Sequence, residues 1–371
     1  MKKRSIVIIL TVIFFLPFLY SENLGNWTTI RIGEASLNRR EIKKNVKKIG
    51  LQEADGFYVL LDSVCNNGEL DRARKNKIIR IARYVIKRAK KNNLQMGVRM
   101  SDWEFLISGL YNSIEPCGRI VVSETVGAGK ELFGPDRSAR GYVPITLNFT
   151  IDKKDLSYND IALLCFPAKY KRGRLFNNSE TIPQYVPLEE IVDFSKNIEK
   201  SGDSTVIVTL PRGEWRFLRL GYVVDPALSP INRLNKDAAY VVAERWFSNF
   251  IGSLEKNRYK GVITRTVIDF TFENSRIWID SFKKEFESRR GYELTNSDLL
   301  LYAGYFIQDK ETTDKLTVDI FSTLMEVIDS NYYGVFDNVA TNHGCDLFIN
   351  TVWTNSARID SEWSPRRFMR E

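Results

Sequence analysis

The first hundred residues of the chain alternate between short apolar strands and amphipathic helices. The patterns predict strands at Trp27 to Ile32, Gly56 to Leu61 and Gln95 to Met100, separated by helices at Arg39 to Ile49 and from about Leu70 to Lys91. Successive strands joined by helices pair in parallel through right-handed crossovers. In a chain of 371 residues this alternation predicts an α/β fold, most often a β/α barrel of the TIM type.

The pattern changes between residues 119 and 224, where strands follow one another without long helices, apart from one helix predicted from Pro187 to Lys200. We interpret residues 119–214 as an antiparallel β-rich insertion. The apolar segment from Trp215 to Val224 is then expected to return to the barrel. These assignments place the two parts of the barrel at residues 22–118 and 215–371.

The last third of the chain again alternates helices and strands. We predict helices at Lys236 to Leu254, Ser297 to Ile307 and Thr312 to Asn342, with strands at Val262 to Ile268 and Asp346 to Trp353. The parallel strands then number five or six, whereas a closed barrel needs about eight. Three alternatives stay open: less obvious strands in the middle, an incomplete barrel, or a truncated gene product.

The amino-terminal residues 1–21 have the pattern of an export signal. A basic start, Met1 to Arg4, precedes an apolar run from Ile6 to Leu19 and a small residue, Ser21, at a plausible cleavage point. The apolar run is short for a membrane span and contains Pro17. We therefore expect cleavage and a periplasmic, cell-surface or extracellular protein.

Export would place the four cysteines in an oxidising compartment, where three pairings are open. Their wide spacing matches no zinc pattern, so no metal is assigned to them, and Cys165 within an apolar run is expected to be a core thiol. The cysteines are Cys65, Cys117, Cys165 and Cys345.

The net charge of +8 comes partly from basic clusters on two predicted helices, at Arg39 to Lys48 and Arg72 to Lys91. Each helix also has an apolar face, so its basic residues are expected to form a solvated surface. No nucleic-acid-binding module is recognisable, which argues against a nucleic-acid partner. If this charge has a partner, anionic cell-surface polymers or lipid headgroups fit an exported protein better.

Carboxylates follow several predicted strands. Asp269 and Glu273 come just after the strand from Val262, where a β/α barrel collects its catalytic groups, and Trp278 is expected to share one face of the next helix with Phe282 and Phe286. This apolar setting would suit Glu273 as a general acid. The alternative is that both carboxylates only cap the helix.

A second glutamate, Glu362, follows the last predicted strand and precedes Trp363. Two carboxyl groups across a cleft can hydrolyse a glycosidic bond, because one protonates the leaving oxygen while the other activates water or attacks the sugar. We therefore choose Glu273 and Glu362 as the candidate catalytic pair. Glu362 could equally be a residue of a frayed terminus.

Other catalytic classes find little support. His343 is the only histidine, and no Gly-x-Ser-x-Gly nucleophile elbow accompanies it, so a helix-end residue is the favoured interpretation. The glycines around Gly127 fit neither the Walker nor the dinucleotide-binding pattern.

Several segments resemble, in order along nearly the whole chain, the catalytic region of glycoside hydrolase family 106, the α-L-rhamnosidase family. The segments that carry the resemblance are SLNRREIKKNVKKIGLQEADGFYVL, IEPCGRIVVSETVGAGKELFGP, DIALLCFP, GEWRFLRLGY, FKKEFESRRGYEL and NYYGVFDNVATNHG. The resemblance implies a β/α barrel with Glu273 as general acid and Glu362, in IDSEW, as candidate base. It also implies inversion of configuration and calcium at the sugar-binding cleft.

The chain departs from that family at several places. TTIRIGE stands where the family has a Trp-Trp-His-Trp cluster, Asn232 stands where a ligand-type aspartate is expected, and Asn350 replaces a glutamate. Amides cannot act as bases, and they bind cations less strongly than carboxylates do.

The expected function is therefore an exported glycoside hydrolase that removes a terminal deoxysugar from a glycan. The alternative is a catalytically inactive barrel that binds carbohydrate or has a structural role in the envelope. Aromatic residues make up 12% of the chain, and such rings serve as core residues or as stacking platforms for sugars. The residues expected to contact the sugar are Asp102, Trp103, Glu124, Tyr222, Asp269, Trp278, His343, Trp353 and Trp363.

Overall fold

The computed structural model describes residues 27–32, 39–61, 72–107, 109–111, 114, 118–129, 143–149, 157–172, 184–199, 204–210, 213–224, 231–269, 277–350 and 362–363. Its strands are β1 (Trp27–Ile32), β2 (Gly56–Leu61), β3 (Gln95–Arg99), β4 (Gly118–Gly129), β5 (Val143–Asn148), β6 (Ser157–Pro167), β7 (Tyr185–Val186), β8 (Val192–Asp193), β9 (Thr205–Leu210), β10 (Gly213–Val224), β11 (Ile263–Asp269), β12 (Ile277–Trp278), β13 (Phe306–Ile307), β14 (Asp346–Asn350) and β15 (Glu362–Trp363).

The α-helices are α1 (Arg39–Leu51), α2 (Arg72–Lys91), α3 (Met100–Trp103), α4 (Lys236–Glu244), α5 (Gly252–Glu255), α6 (Phe282–Arg290), α7 (Lys310–Ile328) and α8 (Gly334–Asn342). Two π-helical turns, Arg245–Ile251 and Asp329–Tyr333, join α4 to α5 and α7 to α8. None of the helices in the described ranges is long and apolar enough to cross a membrane.

The first of two compact units comprises Met1–Asn112, Ala239–Phe272 and Tyr333–Glu371. Its sheet has the strand order β1-β2-β3-β11-β14-β15. The first five strands pair in parallel, and β15 pairs antiparallel to β14. The mixed α/β class and the predicted parallel sheet are therefore confirmed, whereas none of the described pairings joins β1 to the opposite end of the sheet.

Hydrophobic periodicity explains the two helices at the start of this unit. On α1 the residues Ile42, Val46 and Ile49 are buried, and on α2 six apolar side chains between Ile78 and Ala89 are buried. The remaining positions are rich in lysine and arginine, so a solvated basic surface explains both sequence clusters.

The second compact unit comprises Ser113–Ala238 and Glu273–Tyr332. Its main sheet has the order β12-β4-β10-β6-β8, and β5 pairs with β9 in a separate two-stranded sheet. Strands β4 and β10 pair antiparallel along twelve residues. A core cluster that includes Leu147, Leu163, Val208 and Phe217 fills the space between the two sheets.

Several predicted elements of this second unit differ from the observed ones. The segment Trp215–Val224 was expected in the parallel barrel, but it forms β10 and pairs antiparallel with β4 and β6. The apolar residues of this segment, interrupted by Arg216 and Arg219, are compatible with a largely buried strand in either kind of sheet. The sequence pattern alone therefore could not distinguish the two.

The helix predicted from Pro187 to Lys200 is instead two short 3₁₀ turns flanking β8. Within it, the Asp193 carboxylate accepts a hydrogen bond from the Ser195 backbone N–H at 2.8 Å, a local bond that competes with helix formation. Likewise, the helix predicted from Ser297 to Ile307 is a 3₁₀ turn that ends before Gly304, whose φ is +83°.

The backbones of β10 and β6 lie very close at Gly221, next to a shift in the pairing register between Leu220 and Gly221. A Cβ atom at Gly221 would lie 2.6 Å from the Asn159 carbonyl oxygen and would overlap the Tyr158 hydroxyl. We therefore expect Gly221→Ala to lower the free energy of unfolding by about 1–3 kcal/mol. Urea denaturation followed by circular dichroism measures this difference.

The matched control is Gly252→Ala. Gly252 has a helical φ of −56°, and its added Cβ would meet nothing closer than 3.6 Å. Because alanine is favoured over glycine in helices by roughly 0.5–1 kcal/mol, this variant should be as stable as the parent or slightly more stable. A Gly221→Ala variant as stable as Gly252→Ala would contradict the close approach.

Candidate functional site

Parallel strands bring polar residues together at the carboxyl edge of the first unit's sheet. Asp269 ends β11, and Arg99 ends the neighbouring β3. The Arg99 guanidinium donates from Nε to both Asp269 carboxylate oxygens at 2.9 and 3.0 Å, and the Ser101 hydroxyl donates to Oδ2. Burial alone would lower the pKa of Arg99, but the hydrogen bond and charge of Asp269 outweigh burial and raise it.

The candidate residues next to this ion pair differ in exposure. Asp102 is half-buried on α3. Trp103 is fully buried, and its indole N–H donates to the Val59 carbonyl oxygen at 3.2 Å. The Trp103 ring thus packs inside the first unit and presents no exposed face to a ligand in this conformation.

His343 follows α8 and is exposed. Its ring stacks on Phe247 with centroids 5.9 Å apart, and its Nε2 lies 3.2 Å from the Ser248 hydroxyl, which also donates to Glu244. The helix-end location matches the interpretation from sequence.

Two cysteines lie in the described ranges, and both are buried free thiols. Burial raises the pKa of Cys165, and it raises that of Cys345 to about 12. Both therefore stay protonated and unreactive near neutral pH. Cys65 and Cys117 lie outside the described residues.

In the second unit, Glu124 of β4 lies among two arginines and a tyrosine. Arg216 binds Oε1, Arg172 donates from Nη2 to Oε2 at 2.5 Å, and the Tyr305 hydroxyl lies 3.2 Å from each oxygen. Burial alone would raise the pKa of Glu124, but the hydrogen bonds and charges of Arg172 and Arg216 outweigh it and lower the pKa. Glu124 is therefore held as a carboxylate.

The same unit contains a pocket of about 340 Å³ beside the β4, β10 and β12 strands. This volume is in the range of small-molecule sites. Tyr222 of β10 and Trp278 of β12 both line it, so two of the aromatic residues expected to contact a sugar share one pocket. Its apolar wall also includes Val224, Leu234 and Ile279.

Strand pairing explains how the two aromatic residues reach this wall. Gly118 of β4 pairs with Trp278 on one side and Val224 on the other. A Cβ at Gly118 would lie 2.7 Å from the Tyr222 ring and 2.8 Å from the Trp278 carbonyl oxygen, so only glycine permits this packing. Trp278 was expected on a helix, but it lies in β12, four residues before α6, and its ring is 5.3 Å from that of Phe282.

The polar side of the pocket comes from the segment before α4. Asn232 is 2% exposed, and its Oδ1 accepts a hydrogen bond from the Leu234 backbone N–H at 3.2 Å. Asn235 accepts from the backbone N–H groups of Asp237 and Ala238 at 2.9 and 3.1 Å, and it thereby caps α4. Both asparagines line the pocket.

Charged groups of both signs complete the lining. Asp280 and Ser281 follow β12, Lys236 begins α4, and all three are exposed. Asp280 is a carboxylate that sequence reasoning missed, although it shares the signal used for Asp269, namely a position just after an apolar strand.

The remaining predicted site residues cannot be placed. Glu273 and Trp353 lie outside the described residues, as do the side chains of Glu362 and Trp363. For the last two, the backbone pairs with β14 through Asn350 and Ile349. Along the chain, Glu273 is four residues after Asp269 and five before Trp278.

The calcium implied by the family resemblance was tested against the residues present. Calcium takes six to eight oxygen ligands, but the described part of the chain contains no group of three or more His, Cys, Asp or Glu side chains able to hold a metal. The lining of the pocket contains one carboxylate, that of Asp280. These residues therefore do not form a calcium cage, and no catalytic step is assigned to a metal.

Comparisons with known proteins agree with the resemblance. A protein of Formosa agariphila named as a candidate β-glucuronidase is 25% identical, and the match covers 53% of this chain and 19% of that protein. The solved structure of a rhamnosidase from Novosphingobium sp. PP1Y has a similar fold, with a TM-score of 0.56 and 11% identity, over 88% of this chain and 46% of that one. The chain thus spans less than half of either relative.

The model of the α-L-rhamnosidase family matches residues 136–363, which is more than half of the chain. This match includes β10, β12 and α4, which line most of the pocket, whereas β4 precedes the matched residues. The chain therefore belongs to glycoside hydrolase family 106, the α-L-rhamnosidase family.

Proposed function

We propose that the chain binds the terminal deoxysugar of a glycan in the pocket of the second unit and takes part in its hydrolysis. The observation that carries this proposal is the pocket itself, because Tyr222 and Trp278 offer aromatic rings while Asn232 and Asp280 offer hydrogen-bonding groups. Sugars present apolar ring faces and hydroxyl edges, so a site of this kind suits them. Family membership adds the reaction class.

The proposed reaction uses two carboxyl groups and water. Glu273 protonates the glycosidic oxygen as the bond to the anomeric carbon breaks, and Glu362 removes a proton from the water that attacks from the opposite face. The products are the free sugar with inverted configuration and the glycan alcohol. Inverting glycosidases in general hold their two carboxyl groups roughly 6.5–9.5 Å apart, which leaves room for the water.

We further propose that the parallel sheet is part of a β/α barrel and that the protein is exported. The five parallel strands and the crossover helices α1 and α2 support the first idea. The signal-like residues 1–21 support the second, although they lie outside the described residues.

A second candidate function is carbohydrate binding without catalysis. Two of the candidate carboxylates are engaged in ion pairs, Asp269 with Arg99 and Glu124 with Arg172 and Arg216. Arginine hydrogen bonds occupy the oxygens of both carboxylates, so both residues have structural roles in this arrangement. Catalysis then depends on Glu273 and Glu362.

The structural role of Glu124 gives a pH-dependent expectation. Because its pKa is lower in the folded protein than the ordinary value of 4.5, Glu124 contributes stability above that pH and loses it as the pH falls through the lower folded value. Glu124→Gln should lower the free energy of unfolding by about 1–3 kcal/mol at pH 7, and its difference from wild type should shrink below about pH 4. Urea titrations between pH 3 and pH 8 measure both.

Glu285→Gln is the control for that experiment. Glu285 forms an exposed helical pair with Arg289 at 3.4 Å, worth about 0.3–0.5 kcal/mol. If Glu124→Gln costs no more than this control at pH 7, the Glu124 cluster does not stabilise the second unit.

Hydrolysis is tested with an aryl α-L-rhamnoside and a panel of other aryl deoxysugar glycosides. We expect turnover in the wild type and a loss of at least about 100-fold in kcat for Glu273→Gln, since general acid catalysis contributes roughly 10²–10⁴-fold. Proton NMR of the first-formed anomer reports inversion. The exposed Glu287→Gln is the control.

Two outcomes would count against the proposed reaction. Binding of the sugars without turnover would favour the non-catalytic function, and undiminished activity of Glu273→Gln would exclude that residue as the acid.

A further inference from the structure

The side chain of Asn232 is oriented by the loop in which it lies. It is 2% exposed, and its Oδ1 accepts the hydrogen bond from the Leu234 backbone N–H at 3.2 Å. Because a backbone N–H can only donate, this bond identifies the oxygen of the amide and places Nδ2 on the other side. The orientation of the amide is thus set by the protein without any ligand.

The amide nitrogen of Asn232 is unpaired in the part of the chain that the structure describes. The buried side-chain atoms that lack a partner do not include this nitrogen, so it keeps some exposure at the pocket wall, where such donors bind water or a ligand. Asn232 also lines the 340 Å³ pocket. Its two N–H hydrogens are therefore available to an acceptor that enters the pocket.

The charges of the lining indicate what kind of acceptor this is. Asp280 and Lys236 contribute one negative and one positive group, so their charges cancel, and the other lining residues are neutral. A pocket without net charge gives an anionic ligand no general advantage. Hydroxyl oxygens of a neutral sugar accept from an amide N–H, and hydroxyl hydrogens donate to a carboxylate such as Asp280.

We infer that Asn232 determines specificity in this pocket by donating from Nδ2 to one hydroxyl oxygen of a neutral sugar, while Asp280 accepts from a neighbouring hydroxyl. This inference rests on the proposed function, since it assumes that the pocket is the sugar site. In addition, it names Asn232 Nδ2 as the atom that distinguishes a sugar with this hydroxyl from a sugar without it.

The test uses Asn232→Leu, which has a similar size and cannot donate, and Asn331→Leu as the matched control. Asn331 donates from Nδ2 to the Leu234 carbonyl oxygen at 2.8 Å, so both changes remove a bond to Leu234, but Asn331 does not line the pocket. Thermal unfolding verifies that each variant folds. Calorimetry with methyl α-L-rhamnopyranoside should show about ten-fold weaker binding for Asn232→Leu and less than a two-fold change for Asn331→Leu.

A structural role for Asn232 is separated from a binding role by deoxygenated ligands. Wild type should bind one monodeoxy analogue of the methyl glycoside about ten-fold more weakly than the parent, whereas Asn232→Leu should bind that analogue and the parent equally. Equal losses for every analogue in both proteins would overturn the inference, as would unchanged affinity in Asn232→Leu. Asn232→Asp, which keeps an acceptor for the Leu234 N–H, should weaken binding like the leucine variant.

The inference and the proposed function fail in distinguishable ways. Sugar binding that depends on Asn232 without hydrolysis of aryl glycosides would overturn the proposed catalysis and leave the role of Asn232 intact. Hydrolysis with an unchanged KM in Asn232→Leu would overturn the role of Asn232 alone. Neither binding nor turnover by the wild type would overturn both.

Discussion

The second unit depends on the twelve-residue antiparallel pairing of β4 with β10. This ladder places Gly118 opposite Val224 at the pocket and Glu124 opposite Leu218 further along. A buried ion pair on the other side of β10 reinforces the register, because Arg219, which is 0% exposed, binds both carboxylate oxygens of Asp160 on β6 at 2.7 and 2.8 Å. Removal of either partner would leave a buried charge unpaired, so this contact supports the pairing of β10 with β6.

The sequence predicted the first unit better than the second, for a physical reason. In the first unit helices and strands have different hydrophobic periods, so the boundaries of β1 and β2 agree with prediction. In the second, β10 mixes apolar residues with Glu214, Arg216 and Arg219, and its partners depend on long-range pairing that periodicity does not contain. The helix predicted from Pro187 is not formed. Local hydrogen bonds such as the one from the Ser195 N–H to the Asp193 carboxylate leave no signal in the hydrophobic pattern of the sequence.

Two of the candidate sugar-contacting residues lie in one pocket, and their role there stays a prediction. Tyr222 and Trp278 line the same pocket. They could be chosen from the sequence because aromatic residues often line ligand pockets. The sequence could not predict that Glu124 and Asp269 form ion pairs with arginines, since each pair joins residues that are distant along the chain. Nor could it predict the orientation of the Asn232 amide, because the bond from the Leu234 N–H to Oδ1 depends on single atoms in the folded chain.

The position of Asn232 links the divergence from the family to the chemistry of the pocket. Where the resemblance suggests an aspartate, the amide keeps one acceptor oxygen for the Leu234 N–H and replaces the second oxygen by a donor. An aspartate would offer two acceptors and a negative charge, which suits a cation. The asparagine carries no negative charge and offers the pocket an amide donor beside an oxygen that accepts from the Leu234 N–H. Under our proposal this favours a neutral ligand with oxygen atoms that accept hydrogen bonds.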